Sequence, residues 1–268
     1  MNGSLNTAGA NISYRAAGTG PALFLVGAPA GMAGFAALAA HLSSSFKVVT
    51  HDPRGIGESA LKAGVVDAGS LADDLHALIA AVGDGPALVF GSSGGAVTGL
   101  ELLGRHAGDV ALLIAHEPPV FSLLDDNSVM ERAEALFSLA ETDTSAAFEN
   151  FLNLTEIMHE TFEASTRPAP IKLPPLADAE LVKNKFFLTR MAPASVRYRP
   201  DLDALRAGEV VVCAGEASIG QPAREAAAAL ANALPGPLLD APGNHTGPFT
   251  KPEPFAQWLR QVIAARTG

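Results

Sequence analysis

Between Ala87 and Val97 the chain reads Ala-Leu-Val-Phe-Gly-Ser-Ser-Gly-Gly-Ala-Val, and Ser93 is the residue there with chemistry to offer. Residues 87–90 are apolar and have the length of a short buried strand. Val97, Leu100, Leu102 and Leu103 then continue at helical spacing. Gly91 and Gly95 flank Ser93 at two positions on either side. A strand that turns sharply into a helix forces backbone angles that side chains resist and brings main chains close together, and glycine tolerates both. A serine at that apex stands exposed at the top of a sheet, beside a helix N-terminus whose free N–H groups can hold an anion. The chemistry on offer is nucleophilic attack. Small-residue clusters also occur in plain loops, so the strand before and the helix after are what give the motif weight.

Such a turn needs a sheet to stand on. The chain has 268 residues, 48% of them hydrophobic, which suits one large α/β domain carrying an insertion. Residues 11–16 alternate with the period of a half-buried strand. Apolar runs at 22–26, 46–50, 87–90, 110–115 and 210–214, and a short one at 238–239, predict further strands. Helical spacing falls between them at 35–42, 71–82, 222–234 and around Phe255, Trp258, Leu259 and Ile263. Strands alternating with helices at short intervals mean βαβ units and a parallel sheet covered on both faces. The pattern changes after Glu117-Pro118-Pro119. Residues 121–198 read as helical and aromatic-spotted, divided by a break at Pro168, Pro170, Pro174 and Pro175. Met and Phe at helical spacing are ordinary core, but in a lid some of them line a pocket.

Composition narrows the function classes. The net charge is −10 and no Lys/Arg cluster occurs, which disfavours nucleic acid and anionic membranes as partners. Residues 1–9 are polar and do not resemble a signal peptide, and no apolar run reaches membrane-spanning length. Cys213 is the single cysteine and lies in an apolar run, so it reads as a buried structural thiol. A reducing cytoplasm is the expected location. Phosphate loops, dinucleotide fingerprints and Cys/His metal spacings are lacking, so neither cofactor nor metal is expected.

The motif order resembles that of the α/β-hydrolase superfamily, over nearly the whole chain. It comprises a small-residue loop (27–31), Asp-x-Arg-Gly-x-Gly-x-Ser from Asp52 to Ser59, Gly-x-Ser-x-Gly from Gly91 to Gly95, a helical segment, and Gly-x-His from Gly243 to His245. The resemblance implies an α/β fold with a mostly parallel central sheet, helices on both faces and an all-helical lid. The core would be 1–119 and 200–268 and the cap 120–199. It also implies that Ser93 is the nucleophile and His245 the general base that a protonated serine hydroxyl requires. Asp52 and Arg54 would brace loops. Of the other histidines, His41, His76 and His106 read as surface or helix-end residues, His51 flanks the Asp52 loop, and His159 lies in the lid as a lesser candidate for touching substrate.

Two features depart from the family pattern. Most members carry an aspartate after the penultimate strand, where this chain has Gly215-Glu216-Ala217-Ser218. A serine cannot supply the buried negative charge that orients an imidazole. Glu117 is the preferred substitute, because it ends the strand after the elbow helix and consecutive elements usually lie side by side. Its His116-Glu117-Pro118-Pro119 setting resembles the His-Glu-x-Pro of the zearalenone-opening lactonases, whose acid lies there. Glu216 is the alternative. The second departure concerns the oxyanion hole. Gly94 supplies one N–H, but alignment on the early loop puts Pro29, which has none, at the other donor position. Ala28 or Ala30 donates instead, or the hole is weakened.

The expected function is a cofactor-free serine hydrolase that opens an ester or lactone through an acyl-enzyme on Ser93. The substrate would be small and apolar, and a homodimer is left open. Alternatives on the same scaffold are a C–C bond hydrolase, a thioesterase, a cofactor-free haloperoxidase, or a binding protein that has lost catalysis.

Overall fold

A computed structural model describes residues 1–163, 169–234 and 236–268. In chain order the strands are β1 (Asn2–Thr7), β2 (Ala10–Ala17), β3 (Ala22–Ala28), β4 (Lys47–His51), β5 (Ala60–Leu61), β6 (Ala87–Ser93), β7 (Val110–His116), β8 (Val210–Gly215) and β9 (Leu239–Ala241). They form one sheet in the order β1-β2-β4-β3-β6-β7-β8-β9, with β5 paired to β2. β2 runs antiparallel to β1 and β4, and from β4 to β9 every pairing is parallel. The helices are α1 (Met32–Leu42), α2 (Ala68–Val82), α3 (Gly94–Arg105), α4 (Ser128–Leu139), α5 (Thr144–Thr155), α6 (Asp178–Phe186), α7 (Ala192–Val196), α8 (Leu202–Arg206), α9 (Pro222–Ala233), α10 (Gly247–Thr250) and α11 (Pro252–Thr267).

The continuous apolar runs become strands buried on both faces, because successive side chains of a strand point to opposite sides. Leu23, Leu25, Leu88, Phe90, Leu112 and Ile114 pack with Phe35, Leu38 and Leu42 of α1 and Phe255, Leu259 and Ile263 of α11. The alternate residues, Phe24, Val26, Val89, Leu113 and Ala115, face Leu71, Leu75 and Leu78 of α2 and Val97, Leu100 and Leu103 of α3. Cys213 is fully buried, and burial raises its thiol pKa well above the ordinary range, so it is the structural thiol expected.

Between β7 and β8 the described residues are mainly helical, running from a short 3₁₀ turn at Phe121–Leu123 through α4 to α8. The strand-like feature there is an isolated bridge between Thr161 and Ser218. Pro170, Pro174 and Pro175 lie in the non-helical link between α5 and α6, whereas Pro168 falls outside the described residues. No described helix is long and apolar enough to cross a membrane.

Two strands go beyond the sequence reading, the two-residue β5 and β1. Residues 2–7 are polar in sequence, yet they form β1, an edge strand with one half-buried row. Its register is held by a ladder with β2, which a polar sequence does not advertise.

Candidate active site

The elbow is a local consequence of its glycines. β6 ends at Ser93 and α3 begins at Gly94, and Ser93 has φ 57° and ψ −125°, a backbone state that side-chain-bearing residues rarely adopt. A methyl group on Gly95 would fall on the Val26 carbonyl, and one on Gly91 would lie 2.5 Å from the Gly95 carbonyl oxygen. Tight main-chain contact around the turn holds Ser93 at its apex.

His245 follows β9 in a loop entered through Gly243, whose φ of +85° makes the turn. Asn244 fastens this loop: its amide Nδ2 donates to the His159 carbonyl at 2.7 Å, and its Oδ1 accepts from Thr246 N–H at 3.0 Å. His245 Nδ1 lies 2.6 Å from Glu117 Oε2. A carboxylate on Nδ1 fixes the tautomer that presents Nε2 to a neighbour. Ser93, Gly94 and His245 line one cavity of about 370 Å³.

Glu117 sits just past β7, fully buried, with φ 45°. Its Oε1 accepts from Gly215 N–H at 2.8 Å and its own N–H donates to the Cys213 carbonyl at 2.9 Å, so it is fixed to the end of β8. Burial by itself would raise the pKa of this carboxyl. The hydrogen bond and charge of His245 outweigh that, with His116 and Ser218 adding, and hold it at about 2 against the usual 4.5. Ser218 therefore lies beside the carboxylate, although its hydroxyl makes no well-formed hydrogen bond. Glu117 thus reaches His245 from the end of β7, the strand beside β8, and Ser218 stands past the end of β8. Glu216 is exposed and contacts the Gly243 N–H through a long 3.4 Å bond, so it does not meet His245.

Ala28, Pro29 and Ala30 line the same cavity beside Gly94, whose N–H opens α3 and has no carbonyl one turn earlier to accept it. Ala28 is the last ladder residue of β3, opposite Ser93, and Ala30 lies beyond the ladder. Asp52 accepts from Met32 N–H and Glu58 N–H at 2.8 Å each, and Arg54 forms a buried two-pronged pair with Asp74 at 2.7 and 2.8 Å. Both tie loops together, as expected of them. His159 does not line this cavity. It borders a separate hollow of about 620 Å³, and its carbonyl anchors Asn244 and Gln221.

Three further residues come into view only in three dimensions. His116 is fully buried behind the pair, with Nδ1 at 3.1 Å from Ser92 Oγ. Burial lowers its pKa to about 4 against the opposing pull of Glu117, with His245 adding to the lowering, so the ring is neutral. Ser195 of α7 is buried in the cavity wall over Gly94, and Lys183 of α6 stands at the rim. Their places depend on how the inserted helices pack, a property no local spacing reveals.

Among the described residues, His76, His106 and Asp109 bring three metal-ligating atoms within 4.8 Å of one another, away from the cavity. The two imidazoles are stacked 4.0 Å apart and 8° from parallel, and carboxylates of Asp109 and Asp73 already engage them. Lone pairs in parallel ring planes do not converge on one ion.

With the geometry in place, comparison with known proteins identifies the class. The family model described as "alpha/beta hydrolase fold" matches residues 21–196. The chain belongs to that family. It is 32% identical over 273 residues, spanning 98% of this chain and 96% of the other, to the Bacillus subtilis (strain 168) protein named uncharacterized hydrolase YraK. Solved structures with the same fold include a thermophilic esterase from Thermogutta terrifontis (TM-score 0.69, 22% identity, 100% of both chains). Another is an enol-lactonase from Burkholderia xenovorans LB400 (TM-score 0.69, 18% identity, 98% of this chain and 100% of that one).

Proposed function

We propose that this α/β hydrolase is a cofactor-free serine hydrolase that cleaves a carboxylic ester or lactone. The observation carrying this reading is the buried Glu117–His245 pair opening onto a cavity that holds Ser93 on a strained elbow. His245 Nε2 takes the proton as Ser93 Oγ attacks the carbonyl carbon. The resulting oxyanion is met by the Gly94 N–H and by a main-chain donor from the Ala28–Ala30 turn, Pro29 having none. His245 returns the proton to the leaving alkoxide, which in a lactone stays attached through the acyl chain. Water, activated by the same nitrogen, then releases the acyl group from Ser93. Glu117 remains ionised throughout, orienting the imidazole and stabilising imidazolium.

Residues 120–199 act as the cap. Phe121, Phe148, Phe151, Leu152, Met158 and Phe187 give the cavity an apolar lining, which suits a small apolar acyl or lactone ring. The esterase and the enol-lactonase that share the fold support the same substrate classes.

Initial rates with p-nitrophenyl esters of increasing chain length and with γ- and δ-lactones test the reading. Turnover of at least one, abolished by Ser93→Ala in a protein that still melts cooperatively, is the expected result. A well-folded wild-type protein that turns over none would overturn it.

A further inference from the structure

On the serine-hydrolase reading, alignment of the early loop puts Pro29, which has no N–H, at an oxyanion-donor position, and one side chain is placed to compensate. We infer that the Ser195 hydroxyl is a third oxyanion donor, supplied by the inserted helices. The inference rests on the serine-hydrolase reading and deepens it.

Ser195 lies on α7, is 5% exposed and lines the cavity shared by Ser93, Gly94 and His245. It is packed directly over the elbow. A methyl group on Gly94 would lie 2.7 Å from Ser195 Oγ and 2.6 Å from the Ala28 carbonyl oxygen. The hydroxyl thus adjoins both the residue whose N–H is the one fixed donor and the Ala28 end of the early turn.

Its own hydrogen bond is also long. Among the described residues its partner is the Met191 carbonyl, at 3.5 Å, the far limit of a hydrogen bond. A hydroxyl so loosely held can turn its O–H toward the cavity without giving up a good hydrogen bond. A negative oxygen developing beside Gly94 would accept it. The preceding segment shows how it is aimed. Residues Phe187–Met191 form a π-helical turn, a wide turn that shifts the register of the helix after it. α7 then turns Ala192, Ser195 and Val196 to the cavity. No proton is transferred in this role. The O–H donates a hydrogen bond to the oxyanion and keeps its proton, while His245 carries the proton that moves.

Losing one hydrogen-bond donor to an oxyanion typically lowers kcat on the order of 10²-fold. The test compares wild type, Ser195→Ala and Ser195→Cys with p-nitrophenyl butyrate. It also measures inhibition by an alkyl trifluoromethyl ketone, which forms a hemiketal oxyanion on an activated serine, and the thermal midpoint of each protein. The expected result for Ser195→Ala is a drop in kcat on the order of 10²-fold with KM little changed, and a parallel loss of ketone affinity. Ser195→Cys keeps the size with a weaker donor and falls between the two. Wild-type kcat and ketone affinity in either folded variant would overturn the inference, as would a lowered thermal midpoint with unchanged kinetics, the mark of a packing role. A wild type that neither turns over the ester nor binds the ketone overturns the hydrolase reading itself, and so is distinguishable from failure of the Ser195 assignment alone.

Discussion

Glu117 meets two requirements that pull against each other. It is buried completely, which opposes ionisation, and it must stay charged beside His245. The bonds from Gly215 N–H and His245 resolve the conflict, and the positive φ at Glu117 is the strain that goes with reaching both. Glu117→Gln keeps the shape but removes the charge, and kcat should fall on the order of 10⁴-fold, by analogy with a triad aspartate. Glu216→Gln, at an exposed site, should leave kcat unchanged. Steady-state kinetics on the two variants checks both, and the reverse pattern would contradict the assignment of the acid. At this scale the placement of Ser93 and His245 in one cavity is legible in the sequence, because each stands in a motif of a few adjacent residues. Glu117 is legible through topology, since the strand following the elbow helix lies next to it. Ser195 is not legible, because a π-helical turn sets its direction and nothing in Phe187–Met191 announces that turn.

The elbow is where strand, turn and helix depend on each other. α3 contains two kinds of glycine, and they make opposite predictions. At Gly95 an added methyl meets main chain of β3, which cannot move without disturbing the sheet. Gly95→Ala should therefore destabilise by about 3 kcal/mol and reduce activity together. Gly104 is exposed near the end of the same helix with nothing within 4 Å of a new methyl. Gly104→Ala should stabilise by roughly 0.5–1 kcal/mol with unchanged kcat, because alanine restricts the unfolded chain and favours helix. Urea unfolding of both variants, with rates measured in parallel, tests the pair. The same physics decides which elements the sequence reveals. β3, β6, β7 and β8 are buried on both faces and read as continuous apolar runs. β1 has solvent along one row, pairs only with β2 and carries mostly polar residues, so its pattern is mute.

Across the whole molecule, burial of ionisable groups sets the response to acid. Burial lowers the His51 pKa to about 4, against the raising influence of Asp74 and Asp52, and His116 is likewise held at about 4 from the usual 6.5. The unfolded chain takes up these protons near 6.5 and the folded chain only near 4. Stability from both is therefore complete above about pH 6.5 and is lost as pH falls through about 4. Glu117 adds a second loss with the same sign, from the usual 4.5 down to about 2. Urea midpoints should be level near pH 7 to 8 and should decline between pH 6.5 and 4. A flat profile across that window would show that neither histidine is buried as described.

The central claim, an activated Ser93 served by His245 and Glu117, is tested most directly by fluorophosphonate labelling of the purified protein with the adduct located by peptide mass mapping. The account predicts one adduct per chain, on Ser93, lost in His245→Ala and much slower in Glu117→Gln. An unlabelled protein that melts cooperatively, or an adduct on another residue, would contradict it.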